Sequence, residues 1–204
     1  IEISIALSSE RNSARLFEKI LDAARDITHA DGGTLYLLKE KAGHQVLEFE
    51  ILRNNSLNLT LGGSSGRKIP FAPLPLHRED GSPNHNNIAT YTALTKKMEN
   101  IEDAYYAEHL DFSGTKAFDA RANYRSKSFL TVPLCNHLNE VIGVLQLVNA
   151  KDIHSGETIS FSHNLEPIVA ALASSAAIAL ENQILLQDHK KFIRCFYSGN
   201  CSSD

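Results

Sequence analysis

Residues 128–150, SFLTVPLCNHLNEVIGVLQLVNA, predict two strands joined by a tight turn. The first strand is rich in β-branched and aromatic residues, and Pro133 suits an edge strand or an irregular strand end. Residues 136–140 are polar and contain the Asn and His that suit a turn. Residues 141–148 are almost entirely apolar and rich in Val, which favours a strand buried on both faces. Gly143 within that run predicts a bulge or a close approach of another backbone.

Upstream of this hairpin, residues 10–29 predict an amphipathic helix with Ser8 or Ser9 as its N-cap. The apolar positions of this helix recur at helical spacing and form one face, and they are Leu16, Ile20, Leu21, Ala24 and Ile27. The sequence Asp-Gly-Gly at residues 31–33 is expected to end the helix.

Residues 34–38 and 45–53 predict an antiparallel pair of strands around a polar turn. Residues 54–87 show little periodicity and hold four Gly and four Pro, which predicts a long loop. Short strand pieces are expected within it at residues 60–61 and 68–71. A long irregular segment inside a compact domain is either functional or mobile.

Three helical segments are predicted in the rest of the chain. Residues 87–96 and 103–109 favour short helices, whereas residues 111–126 are expected to form a loop. Ser162 is a suitable N-cap for a long helix that runs to about residue 191.

The long helix carries an apolar repeat of four residues spaced seven apart, Leu165, Leu172, Ala179 and Leu186. About three heptads meet the lower limit for a coiled coil, and a helix packed on one face of the sheet is the alternative for its first half. The part beyond residue 181 is expected to leave the domain as a connector with a frayed tail at residues 198–204. Together the elements predict an α+β fold, an antiparallel sheet with helices on its faces.

The hairpin sequence also resembles a known family. The string S-x-L-x-V-P-L, a polar turn and V-I-G-V-L-Q-L-V-N looks like the last hairpin of a GAF domain. The resemblance is to GAF domains of cyclic-nucleotide phosphodiesterases and of bacterial HD-GYP signalling proteins, and it covers most of residues 16–181. It implies a GAF-like central antiparallel sheet with the N- and C-terminal helices on one face and a loop-covered pocket on the other.

Composition excludes several classes of function. The formal net charge is −4 and the 20 Lys and Arg residues are scattered, so no basic surface for nucleic acid is predicted. No uninterrupted apolar run approaches the roughly 20 residues of a membrane span, and membrane insertion is not expected. Three Cys residues without metal-type spacing indicate a reduced, cytoplasmic setting.

The first candidate site precedes the hairpin. In GAF domains similar to this chain, a Phe, an Asp, a Gly-Tyr pair and a Ser or Thr lie before the last hairpin. The resemblance carries this pattern onto Phe118, Asp119, Tyr124 and Ser128. Asn123 replaces the usual Gly, and Asn tolerates the left-handed backbone that such a turn requires. The alternative role for Asp119 is to brace the loop rather than to contact a ligand.

The second candidate site resembles the helix and loop that cover the GAF pocket, and it contains Tyr91, Ile101, Asp103 and Tyr105. Ile101, Tyr105 and Phe118 are expected to sandwich a small planar ligand. Asp103 either contacts a polar edge of the ligand or caps a helix, and the tyrosines are otherwise core residues. No catalytic or metal-binding pattern is present in the sequence.

The sequence therefore predicts a non-catalytic sensory domain at residues 10–181, preceded by an extension at 1–9 and followed by a helical linker at 182–204. Its expected partners are a small-molecule effector, with a cyclic nucleotide as the candidate, and a second copy bound through the first and last helices. An HD-GYP-type phosphodiesterase output domain would lie outside this sequence. The first alternative is a ligand-free dimerisation scaffold. The second, an enzyme acting on free methionine sulfoxide, requires reactive cysteines near the pocket, where this sequence places none.

Overall fold

The computed structural model describes residues 2–198 and shows one antiparallel sheet with helices on both faces. The helices are α1 Glu2–Ser9, α2 Ser13–Thr28, α3 Ile88–Thr95, α4 Ser113–Ala122 and α5 Glu166–Ser198. The strands are β1 Ala30–Lys41, β2 His44–Asn54, β3 Leu59–Gly62, β4 Leu74–Pro75, β5 Glu99–Ile101, β6 Phe129–Cys135, β7 Val141–Lys151 and β8 Thr158–Ile159. The order is β3-β2-β1-β7-β6-β5, with β4 paired to β2 and β8 to β7. The predicted α+β class is confirmed, and the predicted tail beyond Ser198 lies outside the described residues.

The predicted hairpin forms β6 and β7, and β7 lies at the centre of the sheet between β1 and β6. The backbone N–H of Asn136 donates to the Glu140 carbonyl at 2.9 Å and closes the turn. Gly143 is required by packing, because a Cβ there would collide with the carbonyl oxygen of Tyr36 on β1. Pro133 lies beyond the short β5 partner, where β6 has a free edge that needs no N–H donor.

One face of the sheet is covered by α2 and by the first half of α5. The apolar face of α2 predicted from sequence is buried here against side chains such as Leu35 and Leu145. The small residues of α5, such as Ala173 and Ala176, are fully buried and let the helix approach the strands closely. Helix α1 packs beside α5, where the hydroxyls of Ser4 and Ser175 are 2.9 Å apart. This core holds α2 and α5 on the same side of the sheet.

The two ends of α2 differ from the prediction. Its N-cap is Asn12, which accepts a hydrogen bond from the Arg15 N–H, whereas Ser8 and Ser9 belong to α1. His29 takes the left-handed C-cap conformation and ends the helix. The expectation that residues 31–33 end it is wrong, because these residues already lie inside β1.

The segment around α4 also differs from the prediction. Residues 103–109 contain no helix, because the Ala104 N–H donates to the Lys127 carbonyl rather than along its own segment. Helix α4 instead lies within the predicted loop at 111–126. Strand β4 at Leu74–Pro75 replaces the strand piece expected at 68–71.

Helix α5 is the one segment in residues 2–198 that is long and apolar enough to cross a membrane. Within the most apolar 18-residue window of its region, 44% of the residues are buried in the domain. The buried part contacts the sheet, so length and composition alone are weak evidence for a span. Between residue 181 and the end of the described range, the helix is mostly exposed.

Candidate ligand-binding site

A cavity of about 540 Å³ lies on the face of the sheet opposite α2 and α5. Its floor is formed by side chains of four neighbouring strands, Thr34, Tyr36, Phe49, Asn54, Phe129, Gln146 and Val148. Its roof is formed by the start of α3, by α4 and by the segment 70–74 that precedes α3. The lining residues of the roof are Asn87, Ile88, Thr115, Phe118, Arg121, Pro70, Phe71 and Leu74. A space of this size falls in the range of about 300–1,000 Å³ that is usual for small-molecule pockets.

Aromatic rings connect the floor of the cavity to its roof. Tyr36 and Phe49 lie on adjacent strands with ring centroids 4.7 Å apart. Phe71 follows at 5.5 Å from Phe49, and Phe118 of α4 lies 6.5 Å from Phe71. Such a wall offers apolar contact and stacking to a planar ligand.

Asp119 holds the end of α4 against the segment that leads into β6. Its side chain is 2% exposed and accepts hydrogen bonds from the Ser126 N–H at 2.8 Å and the Ser126 hydroxyl at 2.7 Å. It also accepts from the Tyr105 hydroxyl at 2.8 Å. Burial, followed by this hydrogen bond to a carboxylate, raises the pKa of Tyr105. The geometry matches the bracing role considered for Asp119, since three donors already occupy the carboxylate.

Tyr124 joins the cavity wall to the sheet. Its ring lines the cavity, and its hydroxyl donates to Asp31 Oδ2 at 2.7 Å and accepts from Asn149 Nδ2 at 2.8 Å. Burial and then the Asp31 hydrogen bond raise the pKa of Tyr124, so the phenol stays protonated. Asn123 adopts φ 50° in front of it, which is the left-handed turn that the sequence anticipated.

The other predicted residues surround the cavity without lining it. Asp103 accepts from the Tyr105 N–H at 3.0 Å and pairs with Arg125 at 2.7 Å, so it caps a turn rather than a helix. Ile101 and Tyr91 pack in an apolar cluster beside the cavity. Ser128 is buried and donates to the Ile159 carbonyl at 2.7 Å.

Of the eight predicted site residues, Phe118 and Tyr124 line the cavity. Ile101, Tyr105 and Phe118 do not enclose one space as the sandwich hypothesis required. Ligand contact by these residues stays a prediction.

Gln146 and Arg121 are among the polar lining residues that were not predicted as site residues. Gln146 had a signal, because it interrupts the apolar run of residues 141–148. Arg121 had none, since the helix that directs it to the cavity was not predicted.

The sheet order, the helices on its faces and the roofed cavity define a GAF domain. The GAF domain family profile matches residues 12–180, and the chain belongs to this family.

Curated relatives are found among cyclic-nucleotide enzymes. The chain is 28% identical over 154 residues to a cGMP-specific 3′,5′-cyclic phosphodiesterase of Drosophila virilis, covering 73% of this chain and 15% of that enzyme. It is 27% identical over 152 residues to the enzyme of the same name from Drosophila melanogaster, covering 73% of this chain and 12% of that enzyme. The chain therefore spans a small part of the relatives it matches.

Solved structures share the fold at low sequence identity. The GAF domain of a Coxiella burnetii phosphoenolpyruvate-protein phosphotransferase superposes with a TM-score of 0.64 at 12% identity, covering 92% of this chain and 93% of that one. The corresponding GAF domain from Acinetobacter gives 0.60 at 17% identity, covering 89% of each chain.

Proposed function

We propose that this chain is a non-catalytic sensory domain that binds a small planar molecule, with a cyclic nucleotide as the candidate, in the cavity beneath α4. The observation that carries the proposal is the cavity itself, about 540 Å³ with an aromatic wall from floor to roof. The similarity to cGMP-specific phosphodiesterases supports the choice of ligand class.

The signal is proposed to pass from the cavity to the terminal helices through the sheet. Tyr124 in the cavity wall is bonded to Asp31, whose backbone carbonyl accepts from Arg25 of α2 at 3.3 Å. Helix α2 in turn packs against α5 on the far face. A ligand shifts this arrangement only by its differential affinity for two states, so the roof must be ordered differently with and without ligand.

The second partner is proposed to be another copy of the chain, bound through the helix predicted first, α2, and the last helix, α5. Helix α5 presents an apolar stripe made of Ile178, Leu185, Phe192 and Phe196, which are 53%, 61%, 68% and 77% exposed. The spacings of seven, seven and four residues place these side chains on one side of the helix. That side is opposite the residues that α5 buries on the sheet, so the stripe is available to a partner.

The unit of function is proposed to be residues 10–181, with 1–9 as an extension and 182–204 as a linker to an output domain. The chain covers 15% of the length of the Drosophila virilis phosphodiesterase. The proposal therefore includes an output domain of phosphodiesterase type, the HD-GYP type among them, outside this sequence. A cytoplasmic setting completes it, as an odd number of cysteines without metal spacing suits a reduced compartment.

The test is calorimetric titration of the purified chain with cyclic GMP and cyclic AMP, together with native mass spectrometry. Binding of either nucleotide with rising melting temperature supports the sensor, because a ligand of the folded state stabilises it by mass action. The second candidate function is a ligand-free dimerisation scaffold, which the exposed stripe on α5 favours. A dimer that neither binds nor is stabilised by either nucleotide decides for the scaffold.

A further inference from the structure

Most polar side chains in the cavity lining already have partners within the protein. The Asn54 amide oxygen accepts from the Leu57 N–H at 2.9 Å, and Asn87 caps α3 through the Thr90 N–H at 2.9 Å. Ser126 and Tyr124 are held by carboxylates as described above. Their hydrogen-bonding groups are therefore used to build the walls and leave little for a ligand.

Gln146 and Arg121 differ from these residues. Neither side chain forms a hydrogen bond or an ion pair with another residue of the described range 2–198. Thr115 shares this property, but a helical threonine hydroxyl can bond to the carbonyl one turn earlier in its own helix. The Gln146 amide and the Arg121 guanidinium have no such local partner. Gln146 is half-buried in the cavity floor and Arg121 is exposed to solvent, so both groups are free to bind a molecule that fills the cavity.

Gln146 lies at the centre of the floor. Gln146 is half-buried and lies between the buried Leu145 and Leu147 on β7. Its cross-strand partners are Thr34 on β1 and Thr131 on β6. An unpaired amide at such a position is unfavourable compared with an apolar residue. Its N–H and C=O lie side by side, which complements a ring edge with an adjacent acceptor and donor. Nucleobases carry edges of this kind.

Arg121 lies on the last turn of α4 in the roof, three residues after Phe118. The other arginine in the lining, Arg53, is already paired with Glu18 at 3.1 Å. Asp111 is the acidic residue of the lining, and its carboxylate accepts from the Ser113 N–H at 2.8 Å. Arg121 is therefore the lining cation without a carboxylate partner in the described chain, and a guanidinium in this position suits an anionic group.

We propose that Gln146 and Arg121 determine ligand specificity, with Gln146 binding the hydrogen-bonding edge of a nucleobase and Arg121 binding the phosphate of the same molecule. Phe118, which lies on α4 in the roof, would stack on the base. This inference rests on the proposed function and names the two contacts that the remaining lining does not supply.

The test is calorimetric titration of the chain with cyclic GMP, cyclic AMP and the uncharged guanosine and adenosine. Gln146→Leu keeps the volume of the side chain and removes both hydrogen-bonding groups, so the Kd of the preferred nucleotide and of its nucleoside should both rise about tenfold or more. Arg121→Gln removes the charge, so the Kd of the nucleotide should rise about tenfold while that of the nucleoside stays unchanged.

Matched controls lie outside the cavity lining. Gln45→Leu changes an exposed strand glutamine on β2 and Arg11→Gln changes an exposed arginine before α2, and neither should alter any Kd. If the wild-type chain binds none of the four compounds, the proposed function fails and this inference fails with it. If the wild type binds but Gln146→Leu binds equally well, or Arg121→Gln weakens nucleotide and nucleoside alike, the inference fails alone.

Discussion

The hydroxyl of Tyr124 donates a hydrogen bond to Asp31 Oδ2 over 2.7 Å, which joins a residue of the cavity wall to the start of β1. The other carboxylate oxygen of Asp31 accepts from the Ser56 N–H and hydroxyl at 3.2 and 2.8 Å. Its backbone carbonyl accepts from Arg25 of α2. Asp31 is thus hydrogen-bonded to the cavity wall, to the loop after β2 and to α2.

The first prediction concerns this junction. Tyr124→Phe removes one hydroxyl and leaves Asp31 Oδ2 and one side-chain N–H of Asn149 without a partner, so the free energy of unfolding should fall by about 1–3 kcal/mol. Urea unfolding followed by circular dichroism measures the change. Tyr106→Phe is the matched control, since that ring is 82% exposed and the substitution should be neutral within about 0.5 kcal/mol. Equal stability of the two variants would show that the junction contributes nothing.

The second prediction concerns the brace at the end of α4. Asp119→Asn replaces the carboxylate with a neutral amide, so the hydrogen bonds from Ser126 and Tyr105 lose the charge that strengthens them in a buried site. We expect a loss of about 2 kcal/mol in unfolding free energy and faster amide hydrogen exchange in α4. Asp111→Asn, on an exposed residue before the same helix, should leave exchange in α4 within about twofold of wild type. Unchanged exchange in Asp119→Asn would contradict the bracing role.

Where a local signal and packing agree, the sequence predicts the structure closely. Helix α3 was expected at 87–96, and it is capped by the Asn87 side chain and ends at Lys96 in the left-handed conformation. The β6–β7 hairpin was predicted for the same reason, because its turn chemistry and its apolar run both specify one register.

Helix α4 could not be predicted in this way. Asp119 is its only buried residue, so its sequence, SGTKAFDARA, carries no apolar period. The helix is held by the Asp119 hydrogen bonds and by Phe118 over the cavity, and these are tertiary contacts that no window of sequence contains. Arg121 was missed for this reason, and the site was predicted at Ile101 and Tyr105 instead.

The third prediction is a pH dependence at Glu18 of α2. Burial alone would raise the pKa of Glu18, but hydrogen bonds from Ser64 and the charge of Arg53 bring it below its ordinary value of 4.5. A lowered folded-state pKa means that this stabilisation is fully present above about pH 4.5 and is lost as the pH falls through the folded-state value. Glu18→Gln should therefore destabilise the chain near neutral pH by about 1 kcal/mol and much less at about pH 3, as measured by urea unfolding at each pH.

Glu40→Gln is the control for this experiment, because Glu40 is an exposed carboxylate near the end of β1. Its effect should be small at both pH values. A Glu18→Gln effect that is the same at neutral and acidic pH would rule out a contribution from the ionised carboxylate.

The fourth prediction is a stabilising substitution in the sheet. The Thr131 hydroxyl on β6 is fully buried and has no hydrogen-bond partner in the described chain. Thr131→Val replaces it with a methyl group of similar size in a strand, so the unfolding free energy should rise by about 1 kcal/mol, seen as a higher melting temperature. Thr60→Val on the exposed edge strand β3 should give a smaller change. A lower melting temperature for Thr131→Val would mean that an ordered water satisfies the hydroxyl.

The fifth prediction concerns assembly through the apolar stripe of α5. Leu185 is 61% exposed at the centre of the apolar stripe, and a contiguous exposed apolar surface marks an interaction site. Leu185→Glu places a charge at the centre of the stripe, so a dimeric wild type should become monomeric in size-exclusion chromatography with light scattering. Lys191→Glu places a glutamate on another side of α5 and should leave the dimer intact, although it changes the net charge by two units rather than one. A wild-type chain that is monomeric at every concentration would contradict the interface.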